Sequence, residues 1–285
     1  DPATLENLFR NAHMLLAVHA EDEGTIRANM QRAVERWGDA IPMDQHPVIR
    51  SAEACYKSSS NAVALAKAHG TRLHVLHIST AQELALFDPG PLEKKHITAE
   101  ACVHHLWFSD ADYDVKGALL KWNPAVKSSA DRAAIRQAVI EDRIDVVATD
   151  HAPHALEEKA LPYAKCPSGG PLIQHSLVAM LELERQGVFT LAQVVEKLCH
   201  APARLFQVAG RGFIREGHHA DLVLVDRETP WTVDRTNLFY KCGWSPFEGQ
   251  LFHSRVAHTW VNGRTVYADG QVDRSARGQR LRFDR

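Results

Sequence analysis

The sequence predicts an α/β protein built on parallel strands, with a small β domain toward its C-terminal end. Three observations carry this: four short, largely apolar runs (MLLAVHA, RLHVLHIS, HITAEAC and DVVATD), helical patterns that alternate with them, and a switch after Gly210 to brief alternating runs set off by turn residues. Such runs are too short for amphipathic helices and read as strands covered on both faces. Strands that alternate with helices pair in parallel.

The elements follow in order. Asp1 is a plausible N-cap with Pro2 at the first helical position, and Leu5, Leu8 and Phe9 recur at helical spacing. The first strand, MLLAVHA, ends at His19. Helical patterns run from Ile26 to Trp37 and from about Pro47 to His69, where Gly70 is a C-terminal stop. RLHVLHIS is the second strand and ends near His77; Ser79 or Thr80 then caps a short helix through Phe87. HITAEAC is the third strand. Residues 103–128 mix aromatics with Gly117, Asn123 and Pro124 without a period, the pattern of a long functional loop. A helix from Ala130 to Glu141 leads into DVVATD, which ends at Asp150, and helices are expected near 171–186, 190–199 and 201–208. Beyond Gly210, ADLVLVD and VAHTWVNGRTVYADGQV alternate, and Asn262-Gly263 between two runs is a hairpin signal. The expected domains are therefore 1–209 and 210–285, the second interrupted at 227–250.

Composition narrows the function. With 285 residues, 45% hydrophobic and 24% charged, the chain has the make-up of a globular protein. A net charge of −2 supplies no basic surplus for nucleic acid or an anionic membrane, so a small-molecule substrate is the expected partner. No run of 18 apolar residues and no charged-then-apolar leader is present. The five cysteines are scattered without a C-x-x-C pair, as free thiols of a reducing compartment are, and a cytoplasmic location is expected.

Three strands end in a residue able to hold a metal: His19 in VHAEDE, His77 in LHIST and Asp150 in ATDHAPH. In parallel α/β barrels the C-terminal strand ends form the active face, so these side chains are expected to converge. Two imidazoles and a carboxylate suit zinc or a similar divalent ion, and Asp150 could serve as general base and then general acid. Plainer readings stand beside these. A single histidine is more often structural, Asp150 could cap a helix ahead of Pro153, Asn123 before Pro124 could be only a turn, and Gly169-Gly170 only a flexible loop.

VHAEDE, LHISTAQEL, KWNPAVKS, ATDHAPH and PSGGPLIQHSL, followed by SPFEG, occur in the order seen in dihydroorotases, and the chain resembles that branch of the amidohydrolase superfamily along nearly its whole length. The resemblance implies the second half of a TIM-type (β/α)8 metal-dependent hydrolase barrel plus part of a small β-sandwich domain. It implies one or two zinc ions, with His19, His77 and Asp150 as metal ligands and Asp150 as the catalytic base. Asn123 and His154 would hold the substrate's ring and carboxylate, and Gly169 and Gly170 would offer backbone groups to the ring. The implied activity is reversible hydrolysis of dihydroorotate to N-carbamoyl-aspartate in pyrimidine biosynthesis.

Two departures qualify this. KWNPAVKS carries Ala, Val and Lys where many relatives carry Pro, Leu and Arg. The family's H-x-H pair, the arginine after it and the bridging carboxylated lysine or aspartate have no match, and only four of a barrel's eight strands are visible. The chain alone is thus expected to be neither a competent hydrolase nor a well-behaved monomer. Alternative readings are a hydantoinase or allantoinase and a non-catalytic amidohydrolase-like assembly partner; His151, His104 and His105 read as structural or surface residues. A homodimer is the expected assembly, from the commonness of two-fold symmetry.

Overall fold

The computed structural model describes residues 1–284. Two compact units are present, one of residues 1–174 and 238–246, the other of 175–237 and 247–285.

The first unit is organised by four parallel strands in the order β1-β2-β3-β4: β1 (Leu16–Val18), β2 (Leu73–Val75), β3 (Ile97–Cys102) and β4 (Val146–Ala148). Ala17 lies opposite His74, His74 opposite Thr98, and Ala101 opposite Val147. The connecting helices begin and end where local chemistry dictates. Asp1 caps Pro2–Asn11 and Asp22 caps Glu23–Trp37, accepting the Thr25 N–H at 2.9 Å. Ser51 starts Ala52–His69, which Gly70 stops in the left-handed region at φ 67°. Ser128 and Asp131 form a capping box on Ser129–Ile140. Ile26, Ala33, Ile41, Ile49, Ala54 and Tyr163 pack into one apolar cluster, joined at its border by Met30, Trp37 and Met43.

β1 lies at the margin of the four strands with Ala17 exposed, and β2 is fully buried. One expectation for this unit is corrected. Residues 103–128 do not form an open loop: they hold the helix Val103–Trp107, short turns at Asp110–Asp112, Tyr113–Lys116 and Gly117–Leu120, and the buried side chains of Leu106, Leu120 and Trp122. Each turn re-aims the next apolar side chain inward, so burial occurs without a helical or strand period.

In the second unit, β5 (Leu222–Asp226), β8 (Arg255–Val261), β9 (Arg264–Ala268) and β10 (Gln271–Val272) form an antiparallel sheet ordered β10-β9-β8-β5, beside the two-stranded β6 (Trp231–Thr232) and β7 (Leu251–Phe252). Asn262 and Gly263 join β8 to β9 with φ of 55° and 77°, as a two-residue hairpin turn requires. The helix Ser176–Arg185 falls in this compact unit and is tied to its β elements. Glu182 accepts the His253 backbone N–H at 3.0 Å, and Glu184 pairs with Arg227.

Candidate active site

All the site residues expected from the sequence fall in the first unit. His19 directly follows β1, while His77 and Asp150 each stand two residues beyond the end of β2 and β4. His77 and Asp150 both have left-handed backbones, with φ of 40° and 46°. Side chains outside turns adopt that region at a cost, and such outliers gather at functional sites.

The two histidines meet. His19 Nδ1 and His77 Nε2 are 3.0 Å apart, with the rings edge to face at a centroid distance of 4.7 Å. Two nitrogens on one tetrahedral zinc stand about 3.3 Å apart, given zinc–nitrogen bonds of about 2.0–2.1 Å, so the pair is spaced to share an ion. The remaining nitrogen of His19 contacts Glu21 Oε2 at 3.1 Å, an outer carboxylate of the sort that orients a ligating imidazole. Burial raises the Glu21 carboxyl, but its bond to His19 and the charges of Arg50 and Lys127 outweigh that and hold it at about 2. Burial and the neighbouring His19 push His77 down to about 4, which keeps its ring neutral and its lone pair available near pH 7.

Asp150 is half-buried. Burial, and after it the Glu100 carboxylate, raise its pKa, while His19 lowers it, so these groups share one electrostatic field. Its carboxylate is less tightly gathered: among the described residues His19, His77 and Asp150 do not form a trio with all donor atoms within 4.8 Å. The structure therefore brings the imidazoles together and leaves Asp150 close by. An Asp with a raised pKa near two imidazoles that meet at 3.0 Å has the make-up of a metal-assisted hydrolytic centre.

Glu100 is a member that sequence reasoning missed. It lies inside β3, takes a contact from His74 Nε2 at 3.1 Å and accepts the His77 backbone N–H at 3.3 Å. The available signal was an acid inside an apolar strand, which is costly unless partnered.

The remaining predicted residues lie on the segments 123–124, 150–154 and 168–170. Asn123 Oδ1 is buried without a hydrogen-bond partner. Buried polar atoms without a partner are uncommon in folded proteins. His154 Nε2 is 3.1 Å from the Ser168 carbonyl, and the His154 carbonyl accepts Trp244 Nε1–H at 2.8 Å. Gly169 donates its N–H to the Lys121 carbonyl at 2.7 Å, and the Ala152 N–H donates to Gly170 O at 3.2 Å, which lays this pair beside the segment after Asp150. Neither position has room for a side chain. A Cβ on Gly169 would stand 2.5 Å from Ala152 O, and one on Gly170 would stand 2.4 Å from Trp122. The Gly169-Gly170 segment is consequently held by contacts and is not merely a flexible link.

The amidohydrolase family model matches residues 2–266. The dihydroorotase of Pyrococcus furiosus is 31% identical over 267 residues, covering 94% of this chain and 58% of that protein. The dihydroorotase of Halobacterium salinarum is 33% identical over 284 residues, covering 96% of this chain and 64% of that protein. Among solved structures, the L-hydantoinase (dihydropyrimidinase) of Arthrobacter aurescens matches with a TM-score of 0.87 at 26% identity, over 95% of this chain and 61% of that one. The chain thus spans about three fifths of the length of these relatives. Its parallel strands, covering helices and similarity to hydantoinase structures are those of a TIM-barrel type metal hydrolase fold. With the family model matched along nearly all of its length, this chain belongs to the amidohydrolase family.

Proposed function

We propose that this chain supplies the strand-end half of a dihydroorotase active site. The observation that carries the reading is the contact of His19 Nδ1 with His77 Nε2 at 3.0 Å, at adjacent strand ends, in a chain 31% and 33% identical to two dihydroorotases. The reaction adds water across the ring amide of dihydroorotate: a C–O bond forms, the C–N bond breaks and the nitrogen gains a proton, yielding N-carbamoyl-aspartate. A divalent ion, zinc in this proposal, would supply an ionised water near neutral pH and a Lewis acid for the amide carbonyl.

The chain's own residues do the rest. His19 and His77 would hold the ion, oriented by Glu21 and by the backbone bond to Glu100. Asp150 would take the proton from the attacking water and pass it to the leaving nitrogen, a shuttle favoured by its raised pKa. Asn123 and His154 would bind the substrate's ring and carboxylate, and the Gly169-Gly170 backbone would lie against the ring. This assigns the protein to pyrimidine biosynthesis. Five cysteines without a disulfide support a reducing, cytoplasmic setting.

The test is a chimera in which residues 1–285 replace the matched region of the Pyrococcus furiosus dihydroorotase. Zinc-dependent opening of dihydroorotate is the expected result. A folded, metal-loaded chimera that opens hydantoin or dihydropyrimidines in preference would overturn the substrate assignment and favour the hydantoinase reading.

A further inference from the structure

The strand-end site leaves one buried cluster unexplained. Cys102 closes β3, and His104 and His105 follow in the first turn of the helix Val103–Trp107. One ligand atom from each lies within 4.8 Å of the other two, and all three residues are buried. Neither ring nitrogen of His104 has a hydrogen-bond partner, although the residue is 0% exposed. His105 Nε2 is 3.2 Å from the Pro124 carbonyl, a contact only an N–H can make. The bare lone pair of that ring is therefore on Nδ1, which is also buried without a partner. Stacking of His104 on Trp122, with centroids 4.5 Å apart and planes 16° apart, fixes the ring, and the two imidazole centroids are 4.0 Å apart. Buried polar atoms without partners are rare in folded proteins and call for a missing group.

We propose that Cys102, His104 and His105 form a second metal site, separate from His19 and His77, for one thiophilic ion of the zinc(II) or copper(I) class. A thiolate with two imidazoles selects that class, while magnesium and calcium require oxygen ligands. Binding breaks the Cys102 Sγ–H bond, sends its proton to solvent and forms an Sγ–metal bond; the imidazole lone pairs are donated with no change in protonation. The bond from His105 Nε2–H to Pro124 is the outer contact that commonly orients a metal-binding imidazole. Burial and the carboxylates of Glu100 and Asp150 hold the Cys102 thiol well above its ordinary pKa. Those same negative charges offset the charge that an ion brings. Such a site would pin the turn from β3 into the helix.

The whole 285-residue chain, refolded under reducing conditions with Co(II) as the probe for zinc, should show a thiolate-to-cobalt charge-transfer band in the near ultraviolet. His19, His77 and Asp150 contain no sulfur, so an ion bound by them gives no such band, and His19→Asn with His77→Asn should leave it in place. Cys102→Ser should abolish the band and His104→Gln should weaken it. In the copper arm, Cu(I) should be retained at one per chain against a copper chelator and lost in Cys102→Ser. X-ray absorption of the zinc-loaded wild-type chain should show one sulfur at about 2.3 Å. A folded wild-type chain with no sulfur bound to zinc, cobalt or copper would sink the proposal whatever the variants do, and a band that survives Cys102→Ser would assign the sulfur elsewhere and sink it too.

Discussion

Left-handed backbones occur in both compact units, for different reasons. In the second unit Asn262 and Asp269, with φ of 55° and 49°, each precede a glycine and lie between adjacent antiparallel strands. Both are residue types that tolerate this region, and a two-residue hairpin demands it. In the first unit His77 and Asp150 have φ of 40° and 46° at the ends of parallel strands, with Ile78 and His151 following in place of glycine. No hairpin is made there. The conformation makes a hairpin turn at Asn262 and Asp269 and follows a parallel strand at His77 and Asp150, while Asp142 and Gln207, also left-handed, follow helices. Burial separates the sheets in the same sense: β2 is wholly buried and houses His74, whereas β5 has exposed Val223 and Leu224.

The largest effect should come from breaking the first kind of position chemically while keeping its shape. In the chimera, Asp150→Asn retains size and backbone but removes the proton acceptor, and turnover should fall by about 100- to 10,000-fold. Steady-state rates together with zinc content check this; near-normal turnover with retained metal would place Asp150 with the turn residues. Next in size, Asn123→Ala and His154→Ala should raise KM for dihydroorotate by about tenfold or more, on the scale of one charge-assisted hydrogen bond. Metal content should be unchanged.

How legible this comparison was depends on where chemistry coincides with a strand end. His19, His77 and Asp150 stand out because a polar residue that terminates an apolar run has few structural uses. Glu100 was hidden because it lies within HITAEAC, where the strand pattern draws attention to its ends and not to its interior. His104 and His105 read as structural or surface residues from sequence, and both are buried. Their segment folds through short helical turns that carry no period for pattern reading to detect. The hairpin at Asn262-Gly263 was fully legible, since turn type depends on local backbone sterics alone. The tie of the helix Ser176–Arg185 to the β elements was not, because it rests on long-range bonds such as Glu182 to His253.

A third prediction tests the packing of the Gly169-Gly170 segment. Gly170→Ala would drive a Cβ to 2.4 Å from Trp122 and 3.0 Å from Trp244. Ring and backbone must shift, and overpacking of this kind costs about 1–3 kcal/mol. Thermal melting of the chain should show a lowered midpoint, whereas Gly263→Ala, whose Cβ meets nothing within 4 Å, should cost only its backbone strain at φ 77°. A loss at Gly170 no larger than that at Gly263 would mean that the Trp122 and Trp244 rings move aside at little cost.

The smallest effect sharpens the comparison most. If φ of 46° at Asp150 is held for chemistry, replacing it with glycine should relieve strain and also remove a half-buried carboxylate whose charged form burial and Glu100 disfavour. Left-handed backbone costs an L-residue about 1–2 kcal/mol relative to glycine, less for Asp and Asn. Asp150→Gly should therefore leave the metal-free chain as stable as before or up to about 1 kcal/mol more stable, even though the chimera loses turnover. Asn262→Gly relieves the same strain, but it removes the side-chain bond from Arg211 Nη2 to Asn262 Oδ1 at 2.5 Å, so its net change should be near zero or destabilising. Denaturant melts of the two variants side by side decide the matter. A clear loss of stability in Asp150→Gly would show that Asp150 is a structural terminator of its strand, and the distinction between the two left-handed classes would fail.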